Sequence, residues 1–423
     1  MIDDIGREQI LFFGFSANIL SNLAGDLPPG SVLVVEEPDV VRKRDLHQLA
    51  KKFPAVSRVV PREYQRASEL KLLLGEDLVR GAVAVVPGVE YGVTAAAVAA
   101  DALGLPGAGT LGGQVFRNKA RLRDLAAGAG IRNPRYTRVD GVEAAQAFMD
   151  EVGGACVLKP SSRQASLGVQ ILTDREQLRT GWSLSTEVEE GRVVPDRGIP
   201  SEVLIEEAVH GAEFSVEMLV AKGRPCFANV TAKDVLPGRF PVETGHVLPA
   251  PVPDGQRDLL IRRTAQLAEA AGFGAGVLHC EWIVAAADPE PYLVECAARM
   301  PGDEIPLLIR LAYAFPFVRA YLETLLGRLP DTPREPAGGA AIRFLSAPPG
   351  TVTAIDGVAD ASARPGVHTV LVTPAQGGAV RPAHSSWDRV GEVIAEGADA
   401  AEAAERAAEA AELVQVTTEP VAS

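Results

Sequence analysis

Cysteine is scarce in this 423-residue sequence, and its spacing excludes the usual cysteine-based sites. Cys156, Cys226, Cys280 and Cys296 stand singly, without a CxxC pair. Zinc clusters and disulfide frameworks are both built from closely spaced or numerous cysteines. We therefore expect neither, and we expect reduced, buried thiols.

An excess of positive charge is missing as well. Forty-one lysines and arginines stand against fifty-five aspartates and glutamates, which gives a formal net charge of −14. Surfaces that bind nucleic acids or anionic membranes are normally basic. We expect no nucleic-acid or membrane partner, and any phosphate-binding site has to be basic locally.

No apolar run of membrane-spanning length is uninterrupted. The stretch from Gly81 to Gly109 is broken by Pro87, Glu90, Asp101 and Pro106. The N-terminal segment carries acidic residues where a signal peptide would carry positive charge. These features predict a cytoplasmic protein without membrane segments.

What the sequence does contain is a pattern of several domains. The first 115 residues alternate short apolar strands with helical stretches, which is typical of an α/β domain. Turn-rich or irregular segments then mark further boundaries. We predict four units, which cover residues 1–115, 116–200, 201–330 and 331–423.

Two glutamates on apolar strands are the most informative feature. Glu281 lies in LHCEWIV and Glu295 in YLVECAARMPGD, and the turn-forming sequence DPEP separates the two runs. A hairpin would place the carboxylates side by side, where they repel unless a cation lies between them. Few hard oxygen ligands suit Mg²⁺ completed by phosphate and water. Arg299, four residues on, could neutralise transferring phosphate oxygens; the alternative is a solvent-facing amphipathic hairpin.

A second candidate site is a nucleotide site. The strand VLKP ends near Lys159, and a hydroxyl-rich loop with Ser161, Ser166 and Gly168 follows; such a loop and lysine can cradle a triphosphate. In the later segment SEVLIEEAVHGAEFSVEML, backbone groups near Glu207 and Val209 could read adenine, and Glu213 could accept from ribose hydroxyls. The alternatives are a solvated lysine and an ordinary β-turn-β with exposed acids.

In this order the motifs resemble those of the ATP-grasp carboxylate-amine ligases. The resemblance runs from about residue 87 to 416 and rests on five runs: RNKARLRDLAAGAGIRNPRY, VLKP, EEAVHGAEFSVE, HCEW and ECAARMPGD. It implies an α/β and α+β architecture. An N-terminal α/β domain would precede an ATP-grasp fold of a small and a large subdomain, and a β-rich C-terminal domain would close the cleft.

The resemblance also implies roles for individual residues. Lys119 and Lys159 would contact the phosphates of ATP, and Arg299 would contact an acyl-phosphate intermediate. The remaining implied contacts are Glu206, Glu207, Val209 and Glu213 to adenosine, and Glu281 and Glu295 to one or two Mg²⁺ ions, or Mn²⁺ in their place. Two departures matter: Ala297 stands where many members have a metal-binding asparagine, and the 161–169 loop has a single glycine.

A further motif points to the amine substrate. Glu243 and His246, in VETGHVLP, resemble the substrate-contacting pair of bacterial L-amino acid ligases, which make dipeptides. A carboxylate can hold an incoming ammonium, and an imidazole with a pKa near 6.5 can help remove its proton. The alternative is a chance Glu-x-x-His on the surface.

These features together predict an ATP-dependent ligase that joins a small-molecule carboxylate to an amine through an acyl phosphate. The alternatives are a relative of biotin carboxylase or of purine-pathway enzymes, and a nucleotide-binding protein without activity, for which Ala297 is the motive. A homodimer is implied by the resemblance alone.

Overall fold

A computed structural model describes residues 9–188, 190–198 and 200–420, so most of the acidic N-terminal segment lies outside the described residues. The chain begins with a four-stranded sheet of order β3-β2-β1-β4, in which every pair is parallel. Its strands are β1 (Gln9–Phe13), β2 (Val32–Glu36), β3 (Val56–Pro61) and β4 (Ala82–Pro87). Its helices are α1 (Ala17–Asn22), α2 (Pro38–Lys43), α3 (Leu46–Ala50), α4 (Ala67–Leu74) and α5 (Val93–Leu103).

Strand β1 shows why this sheet lies inside the molecule. Its side chains alternate between two cores: Ile10 and Phe12 belong to one, and Leu11 and Phe13 to the other. A parallel sheet buried on both faces needs such a continuous apolar run. The first core also contains Leu308, from a later helix, so the N-terminal domain packs firmly on the rest of the chain.

The second unit is a four-stranded antiparallel sheet of order β5-β8-β6-β7. Its elements are α6 (Thr110–Val115), α7 (Lys119–Gly128), β5 (Tyr136–Val139), α8 (Val142–Val152), β6 (Cys156–Pro160), β7 (Gln170–Leu172), α9 (Arg175–Thr186) and β8 (Val203–Glu207). Helix α7 starts where the Asn118 side chain accepts hydrogen bonds from the Ala120 and Arg121 amides. That cap places Lys119 at the first helical position.

An eight-stranded sheet of order β13-β12-β9-β10-β11-β14-β18-β16 forms the largest layer. The elements that follow β8 in the chain are β9 (Ala212–Ala221), β10 (Arg224–Val235), β11 (Glu243–Leu248), α10 (Asp254–Ala270), β12 (Gly276–Val284), β13 (Tyr292–Ala297), α11 (Ile305–Tyr313), α12 (Phe317–Leu325) and β14 (Gly339–Leu345). The remaining elements are β15 (Gly350–Asp356), α13 (Val358–Ser362), β16 (Val367–Val372), β17 (Ala379–Val380), β18 (Gly391–Gly397), α14 (Ala400–Leu413) and β19 (Gln415–Glu419). Strands β17, β15 and β19 make a small separate sheet.

The parallel first sheet and the antiparallel later sheets confirm the predicted α/β and α+β class. The four predicted domain ranges stay a prediction. Strand pairs cross two of the predicted boundaries. β8, which follows residue 200, pairs with β5 and β6, which precede it, and β14, which follows residue 330, pairs with β11, which precedes it.

Among the described residues, no helix taken singly has the length and apolar composition needed to cross a membrane. Only α11 and α12 meet that test, and only as a pair bent by 107°.

Candidate functional site

A cavity of about 610 Å³ lies where the N-terminal domain, the second unit, the large sheet and the C-terminal segment meet. It brings together twelve of the fourteen residues proposed from sequence: Lys119, Lys159, Ser166, Glu206, Glu207, Val209, Glu213, Glu243, His246, Glu281, Glu295 and Arg299. Ser161 and Gly168 do not line it. Gly168 is instead packed so closely that an added Cβ would lie 2.6 Å from Cγ2 of Val188.

The two strand glutamates lie side by side, as the hairpin prediction required. Glu281 on β12 is the register partner of Glu295 on β13. Each carboxylate has a lysine: the Lys233 Nζ atom lies 2.5 Å from Glu281 Oε1, and the Lys119 Nζ atom lies 2.8 Å from Glu295 Oε2. The pair is therefore part of a charged, partly enclosed site and is not a freely solvated hairpin face.

Lys233 is the cation at the centre of this site that the sequence motifs left without a role. Its side chain is 4% exposed. Burial lowers the pKa of Lys233, but the carboxylates of Glu281, Glu243 and Glu213 outweigh burial and raise that pKa. Burial raises the pKa of Glu281, but Lys233 and His279 outweigh burial and lower that pKa. Lys233 and Glu281 therefore form an ionised pair.

A buried polar layer fixes Glu281 from behind. His279 contacts Glu217 through Nδ1 at 2.9 Å and Glu281 through Nε2 at 3.3 Å. Burial lowers the pKa of His279, but its bonds to the two carboxylates raise it to about 9. Glu217 in turn accepts from Ser215, Asn229 and Thr231, so its position is over-determined.

The donor set fits Mg²⁺ held together with phosphate. Within residues 9–188, 190–198 and 200–420 no group of three or more His, Cys, Asp or Glu side chains could hold a metal ion by itself. Two neighbouring carboxylates are what a Mg²⁺ site requires when substrate phosphates and water supply the other ligands. Lys119 and Arg299 line the same cavity and would face those phosphates.

Arg299 is held by a residue of the N-terminal domain. Its Nε atom donates to Glu90 Oε2 at 2.6 Å, and Arg117 contacts the other oxygen of Glu90 at 2.5 Å. Burial raises the pKa of Glu90, but Arg117 and Arg299 lower it to about 2. In the sequence Glu90 stands out only as a break in an apolar run. Its place just after β4, at the carboxyl edge of a parallel sheet, is the signal that points to a site.

The carboxylate of Glu206 forms buried ion pairs with other residues of the protein. Arg123 donates to both of its oxygens, at 2.9 and 3.0 Å, and Lys159 lies 2.7 Å from Oε2. Burial lowers the pKa of Lys159 to about 8, with Glu206 opposing and Arg123 adding to the shift. Any contact of Glu206 with a nucleotide would have to come from its backbone.

The loop after β6 covers one side of the cavity, and we call residues 161–169 the flap. Ala165 and Ser166 both have a φ of 55°, a left-handed conformation that costs free energy in residues other than glycine. Lys119 Nζ donates to the Arg163 carbonyl at 2.9 Å, and the Ser386 amide donates to the Ala165 carbonyl at 3.1 Å. The flap is thus held from two sides.

Glu243 and His246 lie in the same cavity with partners that sequence reasoning missed. Glu243 accepts from Ser386 Oγ at 2.6 Å, and its other oxygen lies 3.5 Å from Lys233 Nζ. The His246 Nε2 atom lies 3.0 Å from Asp303 Oδ2. His246 is 1% exposed, so the Glu-x-x-His motif is not a surface coincidence.

Two family models match parts of the chain. Residues 152–306 match the family described as ATP-grasp domain, and residues 343–419 match L-amino acid ligase C-terminal domain 2. An alanine–anticapsin ligase of Bacillus subtilis is 26% identical over 267 residues, which are 60% of this chain and 56% of that protein. The chain thus spans little more than half the length of the curated relatives it matches.

Solved structures share the fold over nearly the whole chain. An L-amino acid ligase from Bacillus licheniformis has a TM-score of 0.78 at 19% identity and covers 98% of this chain and 100% of that one. A carboxyaminoimidazole ribonucleotide synthase from Aspergillus clavatus, solved with ATP, has a TM-score of 0.71 at 13% identity, covering 97% and 100%. At such identities the likeness concerns the fold.

Residues 152–306 form an ATP-grasp domain, and the predicted ATP-grasp fold is confirmed. The chain is similar to the L-amino acid ligases, whose C-terminal domain 2 matches residues 343–419.

Proposed function

We propose that this protein is an ATP-dependent ligase that joins a small-molecule carboxylate, an amino acid or related acid, to an amine. The carboxylate attacks the γ-phosphate of ATP to give an acyl phosphate and ADP, and the amine then displaces phosphate to form an amide. One observation carries the proposal: a single cavity holds two lysines for phosphate, the Glu281–Glu295 pair, Arg299, and the Glu243 and His246 side chains.

The nucleotide half of the cavity supports ATP as the cofactor. Lys119 and Lys159 provide positive charge for the phosphates, and Lys119 is the first residue of a helix, whose amino end also favours anions. Val157 and Ile171 are register partners and line the cavity with Leu293, which gives an apolar wall for a base. Glu207, Val209 and Glu213 line the same cavity and offer polar groups for adenosine.

The phosphoryl-transfer centre is Glu281, Glu295 and Arg299. The two glutamates would hold Mg²⁺, which supplies charge neutralisation and orientation of the phosphates when bound. Arg299 would stabilise charge on the acyl phosphate, and Glu90 holds its guanidinium in place. Ala297 offers no metal ligand, which favours a single ion.

The amine half is Glu243 and His246. Glu243 provides a carboxylate for an ammonium group, and His246 lies in the same cavity to assist in proton removal. Flap contacts on two sides favour exclusion of water, which an acyl phosphate requires because it hydrolyses. The amino-acid subgroup is favoured because the chain carries the C-terminal domain found in L-amino acid ligases.

The test is nucleotide product analysis on a matrix of acids and amines with ATP and Mg²⁺. We expect ADP and phosphate that appear only with particular acid–amine pairs, together with an amide detected by mass spectrometry. AMP as the product would overturn the acyl-phosphate route. ADP release that needs bicarbonate in place of an amine would favour the biotin-carboxylase or purine-pathway alternative, and nucleotide binding without release across the matrix would favour a non-catalytic protein.

A further inference from the structure

A short turn of the C-terminal segment enters the cavity, and we call residues 385–389 the sensor turn. It contains the 3₁₀ helix Ser386–Asp388. Ser385 and Asp388 form a capping box, in which the Asp388 amide donates to the Ser385 hydroxyl and the Ser385 amide donates to Asp388 Oδ2 at 2.9 Å. The Ser385 hydroxyl also lies within donating distance of Asp388 Oδ2, at 2.8 Å. The Asp388 side chain is 7% exposed, so the turn is a fixed structure and not a loose loop.

Ser386 makes two contacts in opposite directions. Its amide donates to the Ala165 carbonyl in the flap at 3.1 Å. Its hydroxyl donates to Glu243 Oε2 at 2.6 Å, a bond to a charged acceptor and therefore among the stronger hydrogen bonds. One residue thus touches both the cover of the nucleotide site and the carboxylate proposed to receive the amine.

Arg389 reaches His246 through Asp303. Its Nη1 and Nη2 atoms donate to Asp303 at 3.0 and 2.5 Å, and Asp303 Oδ2 lies 3.0 Å from His246 Nε2. The guanidinium also lies 3.6 Å above the Phe344 ring and donates from Nε to the Ser386 carbonyl. These contacts fix its plane, and with it the carboxylate that orients the imidazole.

The chemistry of this chain of contacts limits what His246 can do. An ionised carboxylate only accepts hydrogen bonds, so Asp303 holds the proton of His246 on Nε2. The other ring nitrogen, Nδ1, has no hydrogen-bond partner among the described residues although it is buried. A neutral imidazole in this tautomer carries a lone pair on Nδ1.

We propose that the sensor turn positions the amine-binding pair: Ser386 orients Glu243, Arg389 orients His246 through Asp303, and the Ser386 amide links both to closure of the flap. This inference rests on the proposed ligase function and adds Ser386 and Arg389, to which the sequence motifs give no role. It makes the C-terminal segment responsible for the second half-reaction, amide formation, and leaves the first half-reaction to Lys119, Lys159, Glu281, Glu295 and Arg299.

The two half-reactions can be measured separately. Hydroxylamine captures an acyl phosphate as a hydroxamate and is small enough not to need the amine pocket. We therefore compare hydroxamate formation with amide formation in Ser386→Ala and Arg389→Met. We expect hydroxamate formation within about twofold of wild type, KM for the amine raised roughly tenfold, as for loss of one charge-assisted hydrogen bond, and more ADP released per amide formed.

Two control variants distinguish a loss of positioning from a general disturbance of the structure. Arg364→Ala removes an exposed ion pair with Glu409 in the same segment and should change neither half-reaction. Ser386→Thr keeps the hydroxyl and should restore most of the amide yield lost in Ser386→Ala. In ¹⁵N spectra of the histidines, Arg389→Met should change the tautomer signature of the His246 ring.

The outcomes separate this inference from the proposed function. Equal loss of both half-reactions in the variants, or loss of neither, overturns the positioning role of the turn while the ligase stands. If the wild-type protein forms no hydroxamate with any acid, the ligase function fails and removes the basis of the inference. A selective rise in the KM for the amine, rescued by threonine, supports it.

Discussion

Glu90 and Arg299 lie 209 residues apart in sequence, yet their side chains meet at 2.6 Å inside the cavity. Glu90 comes from the N-terminal domain, directly after the sheet edge, and Arg299 follows the β13 strand that carries Glu295. Arg117 shares the same carboxylate. The N-terminal domain therefore takes part in the site, because it orients the arginine proposed to contact the acyl phosphate.

Replacing Glu90 by glutamine tests that role. Glutamine keeps the size of the side chain but leaves two arginines without their counter-charge, so we expect kcat to fall at least tenfold while KM for ATP changes little. Positional isotope exchange of the β,γ-bridging oxygen of ATP, which reports the reversible first half-reaction, should fall in parallel. Unchanged kcat would show that Glu90 only joins two domains.

The same variant gives a pH signature. Glu90 has its pKa lowered from 4.5 to about 2 in the folded protein, so its ionised form stabilises the fold above pH 4.5, and this contribution is lost as pH falls through 2. Between these pH values wild type should lose stability relative to Glu90→Gln. Urea unfolding of both proteins at pH 6, 4 and 3 measures the difference, and a difference independent of pH would contradict the assignment.

Glu295→Gln tests the metal site. We expect the variant to fold, with an unfolding midpoint near that of wild type, and to release no ADP. Calorimetric titration with Mn²⁺ in the presence of ADP should show binding to wild type and a large loss of affinity in the variant. Chelation of divalent ions should abolish ADP release by wild type, and near-normal ADP release by the variant would remove Glu295 from the metal site.

Lys159 should make nucleotide binding depend on pH. Burial lowers its pKa to about 8, and only the protonated form attracts phosphate, so ATP affinity should fall as pH rises from 7 to 9. Lys159→Met should bind ATP more weakly at pH 7 and should lack this part of the pH dependence. Binding of a fluorescent ATP analogue at several pH values measures the affinity and its pH dependence for both proteins. If affinity changes with pH equally in the two proteins, Lys159 is not the group responsible for the pH dependence.

The buried Arg123–Glu206 pair should support the fold more than the chemistry. Arg123 is fully buried, and Arg123→Ala would strand the Glu206 carboxylate with Lys159 as its remaining cation. Breaking such a pair from one side typically costs about 3–5 kcal/mol of unfolding free energy. Arg175→Ala, which removes an exposed pair with Asp150, should cost about 1 kcal/mol or less. Denaturant unfolding measures the loss of unfolding free energy in each variant. Equal losses in Arg123→Ala and Arg175→Ala would contradict a structural role for the Arg123–Glu206 pair.

Much of the site could be predicted from the sequence, because its strands and helix ends are determined by residues a few positions apart. The alternation of apolar residues around Glu281 and Glu295, with DPEP between them, specified the hairpin and the register that pairs the carboxylates. The asparagine before Lys119 specified the start of α7. Glu213 and Val209, both in the run EEAVHGAEFSVE, line the same cavity.

Tertiary structure decided which charges meet. The Glu206 carboxylate contacts Arg123 and Lys159, so the expected contact of Glu206 with adenosine stays a prediction that its backbone would have to fulfil. The sequence by itself determined the strands, the caps and the order of the five motifs, since each depends on residues a few positions apart. The partners Glu90, Lys233 and Ser386 were decided only by packing, because an ion pair or hydrogen bond between distant segments depends on how whole sheets dock, and no spacing rule encodes that.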